Sequence, residues 1–208
     1  MRLFALAMMI APVHAAVLDR IAVTVGRQVI TESDVVRDLR VAAFLDHKPV
    51  DLSAVSKRKA ADRLVDQLLI LQEAAFSRVP LPLRGDAVKM AGSVKAQYGA
   101  GYDAALGQYE ITEDDVIDHL LSGLRALRYT ELRFRPEVQI SEDDLRDFYF
   151  TLSQEWKQKG EANIPTFEAS RDELEKLLTE QRTSEALDRW LGAQRTETRI
   201  RYREQAFQ

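Results

Sequence analysis

The chain has no cysteine among its 208 residues. Disulfides, thiolate metal sites, cysteine nucleophiles and cysteine-linked lipids are therefore excluded. Histidine is scarce: His14, His47 and His119 are the only three, and no pair stands at metal-ligand spacing. The glycines form no G-x-S-x-G, Walker or dinucleotide-binding motif. Basic charge is not in excess, since the net charge is -4 and the pI about 5.5, which argues against a dedicated nucleic-acid binder. No apolar run is long enough to span a bilayer, and no second long apolar stretch follows the one in the first residues. What is abundant is hydrophobic (46%) and charged (30%) residues together, the composition of a folded domain with a well-solvated surface. The length suits one domain with appendages.

The apolar run at the start is an address. Met1-Arg2 supplies a positive charge, residues 3–11 (LFALAMMIA) are apolar, Pro12 breaks the run, and Val13 and Ala15 hold the -3 and -1 positions. This pattern predicts a secretory signal peptide cut after Ala15 and a periplasmic mature chain.

Ile21, Val23 and Val25 alternate with Ala22 and Thr24, a strand pattern. Gly26-Arg27 fits a two-residue type II′ turn, and residues 28–30 return as a second strand. Two strands alone are marginal in water, so a third is needed. Residues 198–203 supply it, with Ile200 and Tyr202 on one face and Arg199, Arg201 and Arg203 on the other. The arginines are read as the solvated side of an edge strand. Between these ends, 3.6-residue periodicity predicts helices over 32–44, 54–78, 86–98, 102–109, 113–131, 142–152 and 169–194. The expected fold class is mainly α, with a small antiparallel sheet closed by the C-terminal strand.

One helix-start device recurs at Ile30-Thr31-Glu32-Ser33-Asp34, Ile111-Thr112-Glu113-Asp114-Asp115 and Ile140-Ser141-Glu142-Asp143-Asp144. The hydroxyl caps the helix and the Asp three residues on reaches back, a short-armed capping box. Arg84-Gly85-Asp86 reads as a turn entering a helix, with Asp86 as cap. On the longest helix Ala61, Leu64, Val65, Leu68, Leu69, Leu71, Ala75, Phe76 and Val79 share one broad apolar face. Gln72 falls inside that face, where a bond to a neighbouring helix is expected. Ile70 falls alone on the charged side. Ile117, Leu120, Leu121, Leu124 and Leu127 form a second stripe. No residue set argues for catalysis, a metal or a cofactor.

Asp19-Arg20-Ile21-Ala22-Val23-Thr24-Val25 followed by Val29-Ile30-Thr31-Glu32-Ser33-Asp34 resembles the opening of SurA-type periplasmic chaperones, a "DRI-V-VN--VIT-SE" hairpin leading into helices. Leu64–Ala74 is similar to that family's long "LI---LL-QEA" helix, Ile140–Tyr149 to the helix preceding its isomerase domain, and Phe167–Tyr202 to its returning C-terminal helix and strand. Gly26-Arg27 replaces the family's asparagine-containing turn. The resemblance implies residues 16–150 as the chaperone region and 167–208 as the segment completing it. Residues 151–166 would be a connector where the family carries a parvulin-type isomerase; a domain of about 50 residues or more does not fit there. The implied function is binding unfolded or extended segments of exported and outer-membrane proteins, without catalysis or cofactor. It implies neither nucleic acid nor an integral membrane segment. A degenerate peptidyl-prolyl isomerase and an adaptor for one folded partner are the alternatives, and a homodimer by strand or helix exchange is conceivable. Met90, Tyr98, Tyr102, Leu106 and Tyr109, in a glycine-punctuated region, are the candidate client surface; the competing reading packs them onto the long helix.

Overall fold

The computed structural model describes residues 19–161 and 163–208; the apolar run of residues 3–11 and the cut after Ala15 lie outside them. The fold is mainly helical with one three-stranded antiparallel sheet. Strand β1 (Ile21–Val25) is central, between β2 (Gln28–Thr31) and β3 (Ile200–Tyr202). The hairpin turns at Gly26 with φ 59°, while Arg27 keeps a negative φ, as a type II′ turn requires. Val23 pairs with Ile30 on one side and Tyr202 on the other. The C-terminus therefore closes on the N-terminal hairpin.

Seven α-helices follow among the described residues: α1 (Glu32–Leu45), α2 (Ala54–Phe76), α3 (Arg84–Tyr98), α4 (Tyr102–Tyr109), α5 (Glu113–Arg133), α6 (Glu142–Gln158) and α7 (Phe167–Glu197). All three capping boxes form. The amides of Asp34, Asp115 and Asp144 donate to Thr31, Thr112 and Ser141 hydroxyls, and those residues' amides donate back to the carboxylates at 2.8–2.9 Å. Two helix-start donors are satisfied each time, with negative charge at the positive helix end. Thr112→Ala is expected to cost about 1 kcal/mol in urea unfolding. At α3, Asp86 is not the N-cap; from inside the first turn its carboxylate accepts from the Leu83 amide at 3.0 Å. α6 runs on to Gln158, through half of the expected connector, because Leu152 and Ser153 still pack inward; it stops where Gly160 takes φ 78° and the Glu161 amide donates to the Trp156 carbonyl at 3.0 Å.

Three cores hold these elements. The first joins the sheet to α2, the end of α5 and the C-terminal half of α7, through Val23, Val65, Leu69, Tyr129, Leu191 and Phe207. The second gathers α1, α3, α4 and α5 around Phe44. The third is Leu145, Phe167, Leu174 and Leu178, where α6 folds back on α7. Asp144 holds Arg182 across that pair, and this guanidinium keeps its carboxyl well below the usual range. α7, about 46 Å long, thus links the α6 arm to the sheet. Its last turn is tied down by Arg195, which donates to Asp66 at 2.7 Å and to the Asp62 carbonyl at 2.9 Å. Among the described residues no helix is long and apolar enough to cross a membrane.

Candidate functional site

The apolar stripe of α2 is wider than one neighbour can cover. Ala61, Val65 and Leu69 are buried in the core beneath the sheet. Ile70, placed alone on the charged side by its periodicity, is in fact only 4% exposed, in the core that holds Tyr129 and Leu191. α2 is therefore a central helix buried on two sides, and of the two readings of Ile70, an ordinary exposed residue or part of a second contact, the second holds. Beyond the sheet its apolar C-terminal end is bare: Phe76 is 85% exposed. Gln72 bonds not a helix but β2, its Nε2 donating to Gln28 Oε1 at 2.7 Å.

The other part of the stripe, Leu64, Leu68 and Leu71, is only half-buried. These leucines form one wall of a groove of about 280 Å³. Val29 of β2, Val41 of α1 and Ser122 of α5 also line it, and its opposite wall is charged, with Asp34, Arg37 and Asp38 of α1 and Asp115, Asp118 and His119 of α5. The spacing of 64, 68 and 71 puts the three leucines on one side of the helix, one turn apart. An apolar wall with a few placed polar groups is the usual build of a binding cleft.

The polar end of the groove is Asp38, 7% exposed on α1. Its carboxylate accepts from Arg63 of α2 at 2.7 Å and lies 3.2 Å from His119 Nδ1 of α5. Burial pushes the Asp38 carboxyl up, but the His119 hydrogen bond and the charges of His119 and Arg63 outweigh it, leaving it below its ordinary value. One acid thus cross-links the three helices that form the groove walls.

A larger cleft of about 550 Å³ lies across α1, lined by Arg20, Glu32, Arg37, Arg40, Glu110 and Asp115. Its charges already satisfy one another: Arg37 holds Asp115 at 3.0 Å, Arg40 holds Glu110, and Arg20 stands 3.8 Å from Glu32. All three of its arginines are thus already committed to carboxylates, and it offers a ligand no free guanidinium.

The expected client surface divides. Tyr98, Tyr102, Leu106 and Tyr109 come together, but around Phe44 of α1 rather than on α2. Tyr98 stacks on Phe44 at 4.5 Å and donates to the Phe44 carbonyl; Tyr109 donates to the Lys48 carbonyl at 2.9 Å. Tyr102 (1% exposed) and Leu106 (9%) present no surface. Met90, on α3, is 46% exposed and separate from that cluster. The groove leucines, His119 and Asp38 were not singled out as binding residues by periodicity, which marks a residue as apolar and facing inward without saying what faces it. The one available signal was the stripe's excessive width. Among the described residues no cluster of three or more His, Asp or Glu could hold a metal ion.

No family model matches the chain, and no curated protein matches it.

Proposed function

We propose that the chain is a SurA-like periplasmic chaperone without an isomerase domain, which holds extended segments of unfolded exported or outer-membrane proteins and catalyses nothing. The observation that carries this reading is the groove between β2, α1, α2 and α5. It offers half-buried leucines to apolar client side chains, inside a scaffold kept soluble by charge. An extended segment places alternate side chains on one side about 6.6–6.8 Å apart, so its apolar residues enter one after another. His119, oriented by Asp38, stands at the same groove as a polar partner for client backbone. Closure of the two chain ends into one sheet keeps the groove walls fixed without the isomerase insertion.

The test is aggregation of a urea-denatured outer-membrane protein on dilution, followed by light scattering. At roughly equimolar ratio the chain is expected to delay aggregation. Leu68→Asp, which puts a charge in the groove at a half-buried position, is expected to weaken protection at least about tenfold while thermal melting stays cooperative. Burying one leucine is worth about 1.5–3 kcal/mol, which sets that scale. Absence of protection by the unaltered chain would sink the proposal. Turnover in a protease-coupled proline assay above the uncatalysed rate would replace it with an isomerase.

A further inference from the structure

Arginine in this chain is mostly committed. Arg37, Arg58, Arg63, Arg84, Arg182 and Arg195 each hold a carboxylate. Among the described residues Arg78, Arg128 and Arg189 are also exposed without a carboxylate, but they stand singly after α2, on α5 and on α7; four others gather at the sheet. Arg27, Arg199, Arg201 and Arg203 are exposed, and none has a carboxylate within 4.0 Å among the described residues. The acid that follows β3, Glu204, is held by Arg58 at 2.9 Å.

The register gathers these four. Ile200 and Tyr202 turn into the first core, so residues 199, 201 and 203 point to the open side. Arg201 lies opposite Thr24, and Thr24 opposite Val29, in one row across the three strands. The Gly26 amide donates to the Arg199 carbonyl at 3.0 Å, which sets the Arg27 turn beside Arg199. The Arg203 amide donates to the Ala22 carbonyl at 2.8 Å, and Arg203 shares a shallow hollow with Arg20, Ile21 and one acid, Asp19. The row from 199 to 203 is about 14 Å long. Exposed apolar residues flank it: Ile21 is 44% and Val29 52% exposed.

Protection of an edge does not require this much charge. β3 has only three residues and is followed at once by a helical turn over Glu204–Phe207, and a short strand is itself an adequate guard. Three like charges at alternate positions also repel one another.

We propose that the open face of the sheet is a docking surface for anionic phospholipid headgroups, holding the chain against a bilayer surface without insertion. Unpaired guanidinium groups recognise phosphate, and an array flanked by Ile21 and Val29 suits an interface that is anionic outside and apolar beneath. A nucleic acid fits worse: the one aromatic of β3, Tyr202, faces the core beneath Arg58, so the strand presents no ring on which a base could stack. An acidic peptide added to the edge would run along β3 alone and leave Arg27 and the flanking apolar residues unused. This surface shares Val29 with the rim of the groove but none of its leucines, and the inference stands whether or not the groove binds clients.

The test is co-sedimentation of the full chain with vesicles of phosphatidylglycerol and phosphatidylcholine, against vesicles of phosphatidylcholine alone. The apolar run of residues 3–11 contributes equally to every variant, so ratios between variants read the arginines. Each basic residue near an anionic surface raises partition about fivefold. The triple change R199Q/R201Q/R203Q is therefore expected to lower partition into anionic vesicles by about 100-fold, with an unchanged melting temperature and unchanged client protection. R199K/R201K/R203K is expected to keep most of the binding, and salt is expected to weaken the unaltered chain far more than the glutamine variant. Equal binding of the unaltered chain to both vesicle types would overturn the proposal. So would unchanged binding by the glutamine variant, or preferential binding of polyglutamate or an oligonucleotide over vesicles at matched charge.

Discussion

Phe44→Ala is expected to lower the unfolding free energy by about 3–5 kcal/mol and the melting temperature by roughly 10–20 °C. Phe44 is fully buried at the centre of the second core. Tyr98 lies parallel to it at 4.5 Å, and Tyr102 and Tyr109 meet it edge-on at 5.9 and 5.7 Å. Alanine removes the ring that three others pack against, and α1 cannot move inward to refill the space, because Asp38 on the same helix is pinned to Arg63. The cost should therefore fall at the upper end of the range. Tyr98→Phe, which removes only the donor to the Phe44 carbonyl, is expected to cost about 1 kcal/mol. Urea melts followed by circular dichroism and by tryptophan fluorescence check both. Trp190 packs against the first core and Trp156 lies on α6, so neither reports the second core directly. If the two signals part company in Phe44→Ala, the second core opens alone. A loss below about 1 kcal/mol would mean that the aromatic cluster does not hold the helices.

The second large effect centres on Asp38. Asp38→Ala is expected to cost about 2–3 kcal/mol, since it leaves the Arg63 guanidinium of α2 and the His119 imidazole of α5 without the carboxylate they share. That is less than the roughly 3–5 kcal/mol for breaking a fully buried pair, because the Arg63 side chain is 50% exposed and His119 27%, and both can turn to water. The pH dependence has a definite sign. The folded-state pKa of Asp38 is depressed, so its contribution is fully present above the unfolded value of about 3.9 and is lost as pH falls through the folded value. Stability of the unaltered chain should thus decline below about pH 4, and Asp38→Asn should flatten that decline. Urea midpoints from pH 6 to pH 2.5 decide it: parallel curves for the two proteins would show that Asp38 carries no such linkage. Because Asp38 joins the groove walls, client protection should fall with the same substitution even where the protein remains folded.

The elements most legible in advance were those governed by nearest neighbours along the chain. The three capping boxes lie within four residues each, so hydroxyl, carboxylate and amide meet whenever the helix forms. The Gly26 turn and the alternation in β1 are equally local. The sheet partner at residues 200–202 was legible for another reason: two strands needed a third, and little else in the chain alternated. Misplaced features depended on contacts between distant segments. Tyr102 and Leu106 have the composition of an adaptable surface, yet Phe44, some sixty residues earlier, buries them. α6 was expected to end near Leu152; its packing on α7 carries it to Gln158.

Local covalent order was enough for the three capped helix starts, for the apolar stripes of α2 and α5 apart from Ile70, Ala75, Phe76 and Leu127, and for the pairing of the hairpin at residues 21–31 with residues 200–202, because capping, periodicity and strand count are read from near neighbours. Tertiary structure alone decided which inward residues are sealed and which remain reachable. Val65 and Leu68 stand three positions apart on the same apolar stripe of α2; one is fully buried and the other faces an open groove. The difference lies in the helices and strands that pack opposite each residue, and that arrangement is fixed by contacts between separate elements: Arg195 of α7 with Asp66 on the core side, and Asp38 of α1 with Arg63 and His119 at the groove.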